Sequence, residues 1–369
     1  MTQYLLVALS VLAAMAIYVF VLRLWLAPLP SWSERLTATT SDGWQIPLYY
    51  YPAAGGSRGA VLCVPGIYAN AATFDVDPQH SLAAHLAAEG FGTYCIELRS
   101  LSRGHRARRF GRFRHAARYH EYLALDLPAA LEAVCAHSGE AQVAYLGHSM
   151  GGMLFNPLGA MTTRISRAVT IGSMGRLGRM HTWQHLVRWP LYFMERFAFV
   201  RFLPHFFVQQ ASAYLLAPLV GFEPFVARRF VAPAHRERAA DRRYFFSAVA
   251  NTPTTVIFDF ARMMHVGVMG TEKEDYEALT AQNKVPTLVI AGTVDRIAPE
   301  PLVRAGFDQL GGEKEYLRCV GFGHCDMVYS RAAQAEIWPA IVAWLRAGDR
   351  TKMTRIPLAT STAPPFSST

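Results

Sequence analysis

The sequence predicts an α/β fold, a mostly parallel β-sheet with helices on both faces, carrying an inserted helical cap and an N-terminal transmembrane helix. Three observations predict it. Short apolar runs alternate with helix-like stretches, the rhythm of βαβ units whose strands are buried on both faces. An aromatic- and Arg-rich interval from about residue 174 to 284 breaks that rhythm. An uncharged run near the N-terminus, Tyr4 to Leu22, is long enough to cross a bilayer. Of the 369 residues 52% are hydrophobic and only 17% charged, against a usual figure of about 25% charged, which excludes disorder for most of the chain.

The elements follow in order. The run YLLVALSVLAAMAIYVFVL (4–22) spans roughly 28 Å as a helix, and Arg23 ends it. Tyr18, Trp25 and Trp32 lie toward its far end, where an aromatic belt sits. A cleaved signal peptide is the competing reading, but MTQY supplies no basic side chain and the apolar run exceeds the usual length of about 7–15 residues. Arg23 and Arg35 follow the span, so the positive-inside rule places the remainder in the cytoplasm. Residues 24–35 read as a linker, with Pro28 and Pro30 stopping the helix. LTATTSDGWQIPLYYYP reads as two strands around Ser41-Asp42-Gly43. AVLCVP (60–65), GTYCIEL (92–98), VAYLG (143–147), AVTIG (168–172), TLVIAG (287–292) and EYLRCV (315–320) read as strands. Residues 80–90, closed by Gly90, 120–139, 150–161 and 332–348 read as helices. The chain thus divides into an anchor at 1–28, a first core part at 29–173, the cap at 174–284, a second core part at 285–348, and a Pro/Ser/Thr-rich tail at 349–369 that reads as disordered.

The net charge of +9 suits an anionic surface or substrate. Seven arginines between Arg103 and Arg118 supply most of it, and they read either as a solvated loop or as an anion- or membrane-facing patch. No nucleic-acid motif accompanies them, so nucleic acid is not expected as a partner. The five cysteines, Cys63, Cys95, Cys135, Cys319 and Cys325, form no CxxC pair, and buried free thiols are expected. His181 and His185 are four apart without an evident third ligand, which reads as cap packing rather than a metal site. No phosphate-binding or dinucleotide fingerprint occurs, and no cofactor is expected.

The most specific motif is Gly147-His148-Ser149-Met150-Gly151, which matches G-x-S-x-G between a strand and a helix. So tight a turn requires small residues two before and two after the serine, and Gly147 and Gly151 satisfy that. A serine hydroxyl needs a base, and the base needs an orienting carboxylate. Asp295 follows the strand TLVIAG, and His324 lies in a glycine-flexible loop after EYLRCV, at the same edge of the sheet. Of the rival acids, Asp126 and Asp259 sit in helix-like segments, where Asp259 reads as serving packing or an ion pair with Arg262, and Asp326 reads as shaping the His324 loop. Oxyanion donors are expected from the Met150 N–H and from the loop after AVLCVP, with the Ile67 N–H first and the Tyr68 N–H second.

On these residues the sequence resembles the α/β-hydrolase superfamily over roughly 36–172 and 285–347. The resemblance implies an eight-stranded sheet, a triad of Ser149, Asp295 and His324, and a cleft under the cap. Where many members carry His-Gly in the oxyanion loop, this chain has Pro65-Gly66. The stretch PGIYANAATFDVD followed by SLAAHLAAEGF is also similar to lipases and to polyester synthases; the synthases use a cysteine nucleophile, so Ser149 favours hydrolysis. The sequence therefore points to a membrane-anchored serine hydrolase of small-molecule or lipid esters with apolar acyl parts. A serine-dependent acyltransferase shares the same triad. A non-catalytic membrane scaffold is the third class, and the complete set of three residues argues against it.

Overall fold

The computed structural model describes residues 2–26, 31–99, 117–175, 229–250, 252–271 and 274–347. Most of the Arg103–Arg118 stretch, the first half of the expected cap with His181 and His185, Pro28 and Pro30, and the C-terminal tail lie outside the described residues.

Helix α1 (Thr2–Leu26) leads into two antiparallel strands, β1 (Glu34–Thr39) and β2 (Gln45–Tyr51), joined at the expected turn. There follow β3 (Ala60–Val64), α2 (Leu82–Ala88), β4 (Gly92–Ile96), α3 (Leu127–Ser138), β5 (Val143–His148), α4 (Met150–Met161) and β6 (Ile165–Ile171). The second half of the expected insertion carries α5 (Arg238–Ser247), α6 (Thr254–Val266) and α7 (Tyr276–Gln282), and after it come β7 (Thr287–Gly292), α8 (Glu300–Gln309), β8 (Lys314–Cys319), and the short helices α9 (Asp326–Tyr329), α10 (Arg331–Glu336) and α11 (Trp338–Arg346). The single amphipathic helix expected at 332–348 is therefore two. Pro339 sits in the first turn of the second, where its missing N–H costs nothing.

One sheet of eight strands runs β1-β2-β4-β3-β5-β6-β7-β8, antiparallel at β1, β2 and β4 and parallel from β4 through β8. Period-two alternation sends neighbouring residues to opposite faces. Leu62, Val64, Tyr94 and Tyr145 pack with Leu131, Leu154 and Phe155 of α3 and α4. Val61, Cys63, Cys95 and Leu146 pack with Leu86 of α2 and with Trp338 and Ile341 of α11. All five cysteines are free and buried. The last helix of the expected insertion, α7, lies on α4, and the following Asn283 donates from Nδ2 to the Asn156 carbonyl at 3.0 Å.

The chain leaves β3 toward β4 on one side and later returns to β5 on the other. The carboxyl ends of β3 and β5 therefore flank a topological switch point, where an open α/β sheet leaves a crevice.

Candidate active site

Ser149 sits at that crevice, between the end of β5 and the start of α4. Its backbone is at φ 53°, ψ −119°, a region costly for any residue with a Cβ and characteristic of functional turns. The surrounding glycines make the turn possible. A Cβ on Gly147 would lie 2.5 Å from the Gly152 nitrogen, and one on Gly151 would lie 2.1 Å from the Val64 carbonyl oxygen. The Ser149 N–H donates to the Ile171 carbonyl at 2.9 Å, which ties the turn to the end of β6.

Asp295 and His324 come together as the sequence predicts. The His324 Nδ1–H donates to Asp295 Oδ2 at 2.7 Å, and both side chains are buried. The other carboxylate oxygen of Asp295 accepts the Ile297 and Ala298 N–H groups, each at 2.8 Å, so the acid cannot rotate away. The loops that carry the pair are tied to each other by Val294 N–H to the Phe322 carbonyl and Gly321 N–H to Thr293 Oγ1. The pair lies beside the elbow: a Cβ on Gly172 would stand 3.2 Å from both Asp295 Oδ2 and His324 Nδ1, and His148 touches His324 directly, ring centroids 4.7 Å apart.

The expected donors flank the serine. Met150 opens α4, where a helical N–H has no partner within the helix. On the other side, a Cβ on Gly66 would come within 2.9 Å of the Ser149 Cβ, so the loop after β3 lies against Ser149. Tyr68 has φ 60°, and its N–H donates to Thr252 Oγ1 at 2.8 Å. That commits the second-choice donor to the protein and leaves the Ile67 N–H as the candidate from this loop.

The rival acids are engaged elsewhere. Asp126 holds the Arg99 guanidinium at 2.6 Å and accepts the Arg99 N–H at 2.8 Å; burial pushes its carboxyl up to about 7 against the pull of Arg99. Asp259 pairs with Arg118 at 2.7 Å and accepts the Tyr119 N–H at 2.9 Å. This corrects the ion pair with Arg262, one of the two readings for Asp259; the Arg262 guanidinium donates to the Gly270 carbonyl instead. Asp326 shapes its loop as expected: it accepts the Gly323 N–H at 3.0 Å and the His235 Nδ1–H at 2.9 Å.

Three supports had no sequence signal. The Phe230 carbonyl accepts the N–H groups of both His324 and Cys325, at 3.0 and 2.7 Å. His235 stacks on Phe322, centroids 4.1 Å apart. The third is Thr252. No group of three or more His, Cys, Asp or Glu side chains suited to a metal occurs among the described residues.

His148, the second residue of the motif, is fully enclosed and donates from Nε2 to the His324 carbonyl at 3.2 Å. Burial, and secondarily the neighbouring His324, hold its imidazole well below the usual histidine range, so it is neutral in the folded state. Unfolding lets it protonate below about pH 6.5. Its stabilising contribution is therefore complete above that pH and declines as pH falls, by up to about 1.4 kcal/mol per pH unit. The wild type should lose unfolding free energy faster than His148→Asn between pH 7 and pH 5 in urea titrations; parallel slopes would refute the neutral assignment.

A family model of the alpha/beta hydrolase fold matches residues 59–330, and the chain belongs to the α/β-hydrolase family. A tear acid lipase-like protein of Mesocricetus auratus is 27% identical over 168 residues, which is 42% of this chain and 41% of that protein. The chain thus matches less than half the length of that relative. Among solved structures, a thermophilic esterase from Thermogutta terrifontis aligns with a TM-score of 0.57 at 18% identity, covering 86% of this chain and 99% of the esterase. A membrane phospholipase A described as a bacterial virulence factor aligns at 0.57 and 13% identity, covering 95% of this chain and 100% of the other. A monoacylglycerol lipase from Paleococcus ferrophilus aligns at 0.52 and 18% identity, over 82% and 99%. At these identities the likeness is one of fold.

Proposed function

We propose that the protein is a membrane-anchored serine hydrolase that cleaves carboxylic esters with apolar acyl groups. The observation that carries the reading is the buried Asp295–His324 hydrogen bond beside a serine held at positive φ. With Nδ1–H donated to Asp295, the other ring nitrogen of His324 is left with a lone pair, as a general base requires. Ser149 Oγ attacks the ester carbonyl while His324 takes its proton. The Ile67 and Met150 N–H groups receive the charge that develops on the carbonyl oxygen. His324 returns the proton to the leaving alcohol, and water then releases the acid from the acyl-serine by the same steps in reverse order. No metal or cofactor is required by this sequence of steps.

The anchor reading rests on α1. Its Tyr4–Leu26 segment has the length and composition to cross a bilayer, and Leu5, Leu9, Leu12, Ile17 and Phe20 are exposed. An exposed apolar helix suits lipid. Arg23 and Arg35 after the span favour a cytoplasmic catalytic part. The apolar acyl preference draws on the lipase-type relatives and on the anchor.

A fluorophosphonate probe should label Ser149 in the wild type, and an ester chain-length series should show turnover of apolar acyl groups. Products formed with an added acceptor alcohol separate hydrolysis from acyl transfer. Absence of labelling at Ser149 overturns the reading. Removal of residues 1–28 should release the enzyme from membranes with its short-chain esterase activity intact; recovery of full-length protein in the aqueous fraction overturns the anchor.

The oxyanion loop gives a finer test. Thr252 is fully buried, and Thr252→Val strands the Tyr68 N–H, at a cost of about 1–3 kcal/mol for an unpaired buried donor. Relief by shifting the loop moves the Ile67 N–H, and kcat on a short-chain ester should fall by about tenfold or more with little change in KM. An unchanged kcat would remove the loop from oxyanion binding.

A further inference from the structure

The described end of α1 does not stand clear of the protein. Leu22 and Leu26 are buried against Phe246 of α5, with Val19 packed beside them, and the Arg242 guanidinium lies 5.7 Å over the Trp25 ring. Leu22 and Leu26 are one helical turn apart, so a single stripe of the last turns faces the protein. The preceding residues, Tyr4 to Val21, extend over roughly 27 Å at 1.5 Å per residue, about the thickness of a hydrocarbon core. Trp25 and the Arg242 stacked on it then stand at the level of the head groups, where Trp and Arg are favoured. Helix α5, which also carries Arg238 and Arg243, lies at that level with them.

Helix α5 leads directly into the active site. Immediately after Phe246, Asn70 donates from Nδ2 to the Ser247 carbonyl at 2.8 Å and from its backbone N–H to the Ala248 carbonyl at 3.0 Å. The Ala250 N–H donates to the Tyr68 carbonyl at 2.8 Å, and the Tyr68 N–H to Thr252 Oγ1 at 2.8 Å. Four hydrogen bonds thus join the last residue of α5 and the segment after it to residues 68–70, and Ile67 is three residues from Asn70, at most about 11 Å of chain. The anchor contact and the oxyanion loop are two ends of one short, continuously bonded path.

We propose that α1, docked on α5, holds the oxyanion-loop side of the active site against the bilayer surface, so that the substrate is an ester lipid taken from the leaflet itself rather than one dissolved in water. This rests on the anchored ester-hydrolase reading above and adds to it the orientation of the site and the phase from which substrate is drawn. A water-soluble ester reaches such a site whatever its orientation. A lipid held in the bilayer reaches it only when the mouth lies at the surface.

The test uses the full chain reconstituted in phosphatidylcholine/phosphatidylglycerol vesicles, with two probes, a soluble butyrate ester and a fluorogenic long-chain diacylglycerol in the vesicle. Two variants keep the anchor and release the docking: Phe246→Ser, and a Gly/Ser insertion of about twelve residues between Leu26 and Ser31, whose reach of roughly 20 Å frees the catalytic part to turn. Both should turn over the butyrate ester at the wild-type rate and lose about tenfold on the vesicle lipid, because the local substrate concentration at the mouth falls. Equal rates on the vesicle lipid, or equal loss on both esters, overturn the proposal. If the wild type cleaves neither ester, the hydrolase reading has failed, and a second measurement decides the docking by itself. A nitroxide at Arg243→Cys on α5 should be quenched by a head-group relaxation agent far more than one at Ala141→Cys, which precedes β5 at the opposite edge of the sheet from Ser149. Equal quenching at the two sites overturns the docking whatever the activity.

Discussion

Ser149→Ala is expected to lower ester turnover by about 10³–10⁶-fold, the range over which loss of a triad nucleophile falls. The argument is local. Ser149 is the residue that the Gly147, Gly151 and Gly152 packing lifts to the crevice between β3 and β5, with the Gly66 loop on one side and the start of α4 on the other. Alanine keeps the Cβ and the backbone strain and removes only the hydroxyl. Binding of the ester and the oxyanion donors survive, so KM should move little and the residual rate should stay above that of water. Stability should be unchanged within about 0.5 kcal/mol, or rise slightly, as is common when a functional polar group is removed from a strained site. Steady-state kinetics with one short-chain ester and a urea unfolding curve check both halves. Turnover within tenfold of wild type would take Ser149 out of the mechanism. A matched loss of stability would mean that the variant reports folding rather than chemistry. The comparison with Gly151 sharpens this, because a Cβ there would lie 2.1 Å from the Val64 carbonyl oxygen and would damage the elbow itself.

The parts of this site that were legible in the sequence share one property: each is a local pattern at the end of a strand. The elbow was readable because VAYLG and MGGMLFNPLGAM identify the strand and helix on either side of the serine. Asp295 and His324 were readable because TLVIAG and EYLRCV end just before them, and parallel strands bring all their carboxyl ends to one edge. What was not legible is carried by pairings across long stretches of chain. Tyr68 and Thr252 are 184 residues apart, and a threonine in the expected cap gives no hint that it holds the loop after β3. The Phe230 carbonyl that clamps the His324 loop belongs to backbone, which leaves no mark in residue type. Asp259 shows the opposite error: Arg262, one turn along the same helix, is the obvious local partner, but the carboxylate turns to Arg118 and the Tyr119 N–H, 141 and 140 residues away. Helical spacing makes such a local pair available, but it is worth only about 0.2–0.5 kcal/mol. The backbone N–H of the buried Tyr119 has more to lose without an acceptor.

That reassignment of Asp259 separates the last two substitutions cleanly. Asp295→Asn is expected to cost about 10⁴ in turnover near neutral pH with the fold retained. The asparagine oxygen can still accept the Ile297 and Ala298 N–H groups, which holds the loop. Its NH₂ then faces His324 Nδ1, a donor where the histidine needs an acceptor. The imidazole answers by moving its proton to the other nitrogen, the tautomer that cannot take a proton from Ser149. Asp259→Asn acts on a different quantity. It removes the charge that meets Arg118, a partly exposed pair worth about 1 kcal/mol after screening, while an amide oxygen can still accept the Tyr119 N–H. Its effect should appear in unfolding free energy, with kcat within a few-fold of wild type. The two variants, measured on one short-chain ester and in one denaturant titration, should cross over: large kinetic loss and small stability loss at 295, the reverse at 259. A larger kinetic loss at 259 than at 295 would mean that His324 takes its orientation from Asp259, and the assignment of the acid would be overturned.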